Sequence, residues 1–476
     1  MNTTKKHSVV DKISFALIVA AIGILVATSG IVHNPDQDVY FLIDNGRYIV
    51  NNHCLPETAY WLIRQDVPTI IQQWLCCVVN YFAFFIGGYT GIRILGIVFN
   101  LILLFSLFLF CREVLKNKQV GFNAAVFCWI LLAAFQSTRP YSITISLTLL
   151  ENILLMRFFS KEKHPTKETI KFLAGIAGVF VFQANWQASN ILYPLLWILC
   201  YIPVFKSKRF RIDLYALAAL ATGAVFSVLS PIGIRGPLFL TYAIGSLDGF
   251  GIYEVNPPEF PSIYTAMQIM VIALVIYAIV KRKITSAQFF LAAGCLFMSF
   301  LFMRCCWTLV LPLGSLLINL EFTERTHKMM KWTYVGAGVI STVLLVRFFV
   351  GYTNDAEQML AAVPAPDEVT LYTDFNSGSY FLIDGYKIYY DARPELYDKR
   401  IAGDKEFLDE VRNTWEGNID YSEFIAGYGF NWFAVTNNSP MEEYLVNTPG
   451  YELVFNNQRD NISIYKQIEP SSGDSI

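Results

Sequence analysis

Apolar residues come along this chain in long, unbroken blocks rather than in alternation or narrow helical stripes. The blocks are Ile13–Val32, Ile92–Cys111, Phe122–Ser137, Ser142–Phe158, Phe172–Asn185, Ile191–Phe205, Leu214–Ser230, Ile263–Val280, Ala287–Met303, Trp307–Asn319 and Trp332–Val350. A hydrocarbon core about 30 Å thick is crossed by ~20 mostly apolar helical residues. The pattern therefore predicts a polytopic α-helical membrane protein with about eleven transmembrane helices. Several blocks fall short of full length once their polar flanks are trimmed.

One further stretch, Val67–Gly87, is ambiguous by pattern, and the basic residues decide it. Short cytoplasmic loops collect Lys and Arg. If Val67–Gly87 does not span, residues 1–12, 112–119, 157–171, 206–211, 281–283 and 325–331 share one side and carry 21 bases. The other side keeps Arg47, Arg64, Arg93, Arg139, Arg235, Arg304 and Arg347 and no lysine. The stretch is thus read as a juxtamembrane helix on the outer interface, with Trp74 at headgroup level. This topology puts the N-terminus in the cytoplasm. Lys5 and Lys6 before an apolar run resemble a signal peptide, but the run is long and His33-Asn34-Pro35 is a poor cleavage site, so a retained first helix is expected.

From about Gly351 the pattern becomes polar, with Pro364 and Pro366 in a short linker. Val369–Thr373, Tyr380–Ile383 and Lys387–Tyr390 read as strands, the last two joined by an Asp384-Gly385 hairpin. Lys405–Trp415 and Tyr421–Gly427 read as helices, and Trp432–Thr436, Tyr451–Phe455 and Ile462–Gln467 as strands. The expected domains are a membrane module over 1–350, with an outer loop at 33–91, and a small extracytoplasmic α/β domain over 351–476.

Composition agrees with that division. The 476 residues are 54% hydrophobic and 16% charged, against roughly 45–50% and about 25% in soluble proteins. An ordinary cytosolic enzyme is excluded. The net charge of −2 hides an asymmetry: residues 354–476 hold 22 acids and 8 bases, and the remainder 28 bases and 16 acids. Nothing points to nucleic acid. The nine cysteines form no Cys-x-x-Cys pair, and the five histidines are scattered, so neither a zinc site nor a histidine-led triad is supported.

Candidate chemistry gathers on the outer side. Asp36-Gln37-Asp38 follow the first apolar block, with Asp44, a Gly46 turn and Arg47 beyond. The loop after Pro231 carries Arg235, Asp248, Glu254, Asn256 and Glu259. By this topology Arg139, Arg304 and the Gln183/Asn185/Trp186/Gln187 edge reach the same interface. A catalyst acting on a lipid phosphate ester needs such residues: carboxylates deprotonate an acceptor hydroxyl, and arginine forks hold the phosphate. Plainer uses exist for each, since loop acids are solvated and helix-end arginines snorkel. Glu151, mid-helix, is expected to hydrogen-bond between helices.

The order of these features resembles the GT-C superfamily of integral-membrane glycosyltransferases, in a bacterial branch. The resemblance rests on Asp36-Gln37-Asp38, Gly46-Arg47, Pro56, Gln73-Trp74-Leu75, Ser230-Pro231-Ile232-Gly233 and Tyr253-Glu254. In the tail it rests on Asp374-Phe375-Asn376-Ser377-Gly378-Ser379-Tyr380 and Asp391-Ala392-Arg393-Pro394-Glu395-Leu396-Tyr397. The match departs from the branch pattern at Tyr40-Phe41-Leu42, Ser230, Val255 and Ala392, and none of these deletes a carboxylate.

The resemblance implies a plasma-membrane enzyme that takes a sugar from a polyprenyl-phosphate carrier, in contact with membrane lipid, to an extracytoplasmic acceptor. Asp36 or Asp38 would be the base in an inverting transfer, with Glu254 assisting. Arg47, Arg139, Arg235, Arg304, Gln73, Trp74 and Asn185 would bind the lipid phosphate or substrate. A divalent cation is an open possibility, with Asp36, Asp38 and Glu254 as hard oxygen ligands. The tail cluster Asp391-Arg393-Glu395 would cover the site or bind acceptor, or form a structural pair. A lipid-linked glycan transporter would show charges at mid-bilayer and internal repeats, and a scaffold would need no such outer cluster.

Overall fold

The computed structural model describes residues 19–24, 37–206, 209–243, 256–317, 355–402, 405–458 and 461–468, with single positions between 332 and 343. The expected first and last spans fall mostly outside these residues, as do Asp36, Asp248 and Glu254.

In chain order the helices of the body are α1 (Gln37–Asn52), α2 (Trp74–Leu115), α3 (Lys118–Leu131), α4 (Tyr141–Phe159), α5 (Thr166–Trp186), α6 (Leu192–Leu199), α7 (Leu214–Phe226), α8 (Arg235–Ala243), α9 (Ile263–Val280), α10 (Ser286–Leu301) and α11 (Val310–Leu316). Among the described residues α2, α4, α5 and α9 are long and apolar enough to cross a membrane. Large apolar side chains stay exposed on α9, among them Ile269, Ile276 and Val280. That is the surface of a helix solvated by lipid rather than water.

Local chemistry sets the ends of these helices. Asp213 caps α7 by accepting from the amides of Tyr215 and Ala216, and Ser262/Thr265 and Thr285/Gln288 form capping boxes on α9 and α10. The Ile191–Phe205 block does not stay helical. α6 stops at Leu199, and Pro203–Lys206 (β1) turns back against Arg209–Ile212 (β2) as an antiparallel ribbon. Pro203 offers no backbone N–H to continue a helix. Val67–Gly87 is helical only from Trp74, because the chain before it is tied up elsewhere: Ala59 N donates to Val67 O at 2.7 Å. α2 is then broken at Gly88, whose φ of 55° suits glycine.

The tail continues with α12 (Asp355–Ala361), β3 (Leu371–Thr373), α13 (Gly378–Phe381), α14 (Lys399–Ala402), α15 (Lys405–Glu416), α16 (Tyr421–Tyr428), β4 (Trp432–Thr436), α17 (Pro440–Asn447), β5 (Tyr451–Asn457) and β6 (Ile462–Gln467). The sheet order is β3-β4-β6-β5, with β3 parallel to β4 and the other pairs antiparallel. The Asp-Gly hairpin is a correction. Phe381, Leu382 and Ile383 are all buried, which a strand with one wet face does not allow. They form a helical turn, and Gly385 at φ 85° caps it. Ile388 pairs instead with the segment between α1 and α2: its N donates to Trp61 O at 3.0 Å, and Ile63 N donates to Ile388 O at 2.9 Å.

Two compact units result. One is built from the described parts of 1–34, 87–230 and 253–352, the other from those of 35–86, 231–252 and 353–476. The first has a core of α2–α4, α6 and α9–α11, with a second cluster joining α4, α5, α6 and α7. In the other unit residues 37–86 fold together with the tail.

Candidate functional site

Helix α1 organises the loop-tail unit. Asp38, Phe41, Asp44 and Arg47 recur at every third residue, so each neighbours the next along a row that winds half-way round α1. Asp38 lies in the first turn, where a carboxylate suits the helix dipole. Gly46 is no turn residue. It is interior to α1, where a Cβ would lie 2.1 Å from the Cys77 carbonyl oxygen and 2.6 Å from Tyr81 Cβ. Glycine lets the backbones of α1 and the start of α2 touch.

At the far end of the stripe, Arg47 pairs with Asp44 and donates to the Ile383 and Leu382 carbonyls at 2.8 and 3.0 Å. Tyr60 donates to the other oxygen of Asp44 at 2.8 Å and stacks on Tyr48 at 4.3 Å between centroids. Burial outweighs these partners and holds the Asp44 carboxyl above its ordinary range. Burial, then the Asp44 charge, pushes the Tyr60 phenol up.

At the near end lies Arg393. Its guanidinium carbon is 3.0 Å from the centre of the Phe41 ring and 4.9 Å from that of Trp61. Nε donates to Asp391 Oδ1 at 3.1 Å and Nη2 pairs with Oδ2. Tyr397 donates to Asp391 Oδ1 at 3.2 Å. Burial draws the arginine down to about 10, against the opposing pull of Tyr397, Asp38, Glu395 and Tyr60. The other tail motif is a folding element. Asp374 accepts from the amides of Asn376 and Ser377 at 3.0 and 3.2 Å, and a Cβ on Gly378 would meet Tyr390 O at 2.2 Å.

The remaining expected site residues are spread more widely. Gln73 accepts from Gln72 at 3.0 Å, Trp74 opens α2, and Arg235 opens α8, exposed. In the other unit Arg139 stacks over Tyr141 at 5.6 Å. Asn185 donates to the Val181 and Leu229 carbonyls at 2.7 and 2.9 Å. Arg304 is half-buried beside Cys305. Among the described residues no three His, Cys, Asp or Glu side chains gather as an ion would require. Of the three proposed ligands only Asp38 is described, so no step below runs through a metal. Tyr60 and Trp61 escaped the sequence reading. Only their aromatic character beside a charged stripe of three-residue spacing signalled them.

Neither a family model nor a curated protein sequence matches the chain. Solved structures do. An archaeal oligosaccharyltransferase, AglB from Archaeoglobus fulgidus, in complex with an inhibitory peptide and a dolichol-phosphate, is similar with a TM-score of 0.53. Identity is 11%, over 88% of this chain and 69% of that one. ArnT from Cupriavidus metallidurans in the apo state gives 0.41 and 11%, over 95% and 97%. The mycobacterial arabinofuranosyltransferase AftD gives 0.43 and 14%, over 96% and 41%. The fold assignment rests on the first of these. The chain has the GT-C fold.

Proposed function

We propose that the chain is a plasma-membrane GT-C glycosyltransferase that moves a sugar from a polyprenyl-phosphate carrier to an extracytoplasmic cell-envelope glycan, lipid or protein. The observation that carries this reading is the fold shared with AglB, a protein solved with a dolichol-phosphate bound. The order of this chain supports it too: an acid at the head of the first outer-loop helix, directly after the first apolar block.

In this reading Asp38 or Asp36 takes the proton from the acceptor hydroxyl. The acceptor oxygen bonds to the anomeric carbon as the bond from that carbon to the phosphate oxygen breaks, inverting the centre and leaving polyprenyl phosphate. Arg139, Arg235 and Arg304 neutralise the leaving phosphate, with Asn185, Gln73 and Trp74 contributing to substrate binding. Glu254 positions the acceptor. The N-terminus is cytoplasmic and the tail, 351–476, is outside with the site. Arg47 is committed to Asp44 and two carbonyls, so it serves the site as a brace.

The test uses the full chain in nanodiscs with a panel of radiolabelled polyprenyl-phosphate sugars and an acceptor extract. Sugar release by wild type, lost on Asp38→Asn or Asp36→Asn, is expected. Absence of release from every donor would sink the reading in favour of a transporter or scaffold.

A further inference from the structure

Arg393 is the buried ion of the loop-tail unit whose local partners leave something over. The residue is 6% exposed. Asp391 receives its Nε, its Nη2 and its own backbone N–H, besides the Tyr397 hydroxyl. Nη1 is buried with no hydrogen-bond partner among the described residues. A clamp serving only to close the 391–397 turn has no use for an unmatched buried N–H, which is costly to keep.

The placement suggests what the surplus serves. Arg393 lies over Phe41, and Phe41 is one helical turn from Asp38 on the same face of α1. Asp38 is one of the charges acting on Arg393. The other charged or titratable groups around the arginine are Asp44 on α1, Tyr60 in the loop, Cys77 on α2, and Glu395 and Tyr397 in the tail. Asp44 already has Arg47 and Tyr60.

We propose that Arg393 is a positioning residue for Asp38, one of the two candidate bases: the tail supplies the cation that fixes its carboxylate, and residues 37–86 do not make a working site alone. This rests on the glycosyltransferase reading above. The ring faces of Phe41 and Trp61 and the fork to Asp391 hold the guanidinium rigidly, so its charge acts on the head of α1 from a fixed place.

The experiment measures kcat and KM for donor release with the full chain in nanodiscs, for wild type, R393M, R393K, D38N and the double variant D38N/R393M. R393M is expected to lower kcat about tenfold or more with donor KM little changed, and R393K to recover part of the loss. D38N/R393M is expected to be no slower than the residual release of D38N followed over long incubation, because the two residues act as one unit. If R393M does not fold, R393K measured in the wild-type and D38N backgrounds carries the same comparison. Wild-type kcat in R393M, or losses that multiply in the double variant, overturns this inference alone. No release by wild type overturns the glycosyltransferase reading with it.

Discussion

The guanidinium of Arg47, on α1, donates to the carbonyl oxygen of Ile383 at 2.8 Å, across 336 residues of sequence. A second donor reaches Leu382 O, and the same group pairs with the buried Asp44. One side chain therefore satisfies two carbonyls of a buried turn and one carboxylate. Removing it leaves two carbonyls without this donor and the Asp44 carboxyl with Tyr60 alone. Arg47→Met is expected to destabilise the loop-tail unit by about 1–3 kcal/mol, the cost of leaving buried acceptors unpaired, below the scale for a fully buried pair because the Arg47 side chain is 37% exposed. Adding Asp44→Asn should restore part of that by removing the stranded charge. Denaturant unfolding with limited proteolysis of the tail reads both. Two costs that simply add would show that Asp44 and Arg47 are not coupled.

Gly46 tests the fit between α1 and the start of α2. A methyl carbon at this position would lie 2.1 Å from Cys77 O and 2.6 Å from Tyr81 Cβ. Gly46→Ala cannot be accommodated by a rotamer change, because one obstacle is backbone. Overpacking of this kind costs about 1–3 kcal/mol, more than alanine's gain of about 1 kcal/mol in helix propensity. A lower melting temperature for Gly46→Ala is expected. An unchanged or higher one would mean that the two helices are not in contact there.

How far the sequence could reach depends on the range of each interaction. Trp432–Thr436 and Ile462–Gln467 were legible as strands because β-branched and aromatic residues suit a pleated surface. Tyr380–Ile383 has the same composition, yet it is helical. What decides there is nonlocal: Ser377 Oγ donates to Ala434 O at 2.7 Å, and Gly378 lies against Tyr390 O. Gly385 shows the same ambiguity, since its positive φ serves a helix cap as well as a hairpin. Asp38 stands out as a candidate by its place after the first block, and its role remains the one proposed above. Arg393 over Phe41 was not legible, because no local pattern encodes a contact between a loop and a tail some 350 residues apart.

Asp398 gives a pH dependence. Arg400 forks onto it, Nε to Oδ1 at 2.8 Å and Nη2 to Oδ2 at 2.9 Å, while Nη1 reaches Thr241 O at 3.1 Å. The fork holds the Asp398 carboxyl below its ordinary range. Because the folded value lies below the unfolded one, the pair's contribution is present above the ordinary carboxylate range and is lost as pH falls through the folded value. Arg400 is 41% exposed on its side chain, so solvent keeps the contribution to about 0.5 kcal/mol. Wild type should be slightly more stable than Asp398→Asn at neutral pH, and the two melting curves should merge on acidification. A gap that persists in acid would assign the difference to packing.

Glu151 bears on the membrane body. It lies within α4, fully buried, and neither carboxyl oxygen has a hydrogen-bond partner among the described residues, where an interhelical hydrogen bond was expected. A carboxyl held without a partner in an apolar bundle is costly, and exchange of buried ionic groups for apolar ones of similar volume is often stabilising by about 1–4 kcal/mol. Glu151→Met keeps the volume and removes both oxygens. It is expected to raise the unfolding midpoint of the chain in detergent or nanodiscs, with Glu151→Gln in between, since an amide is less costly to bury than an acid but still lacks its partner. A fall in stability for both variants would mean that the carboxyl does bond in the membrane. A fall for Met with recovery in Gln would identify that bond as one an amide can replace.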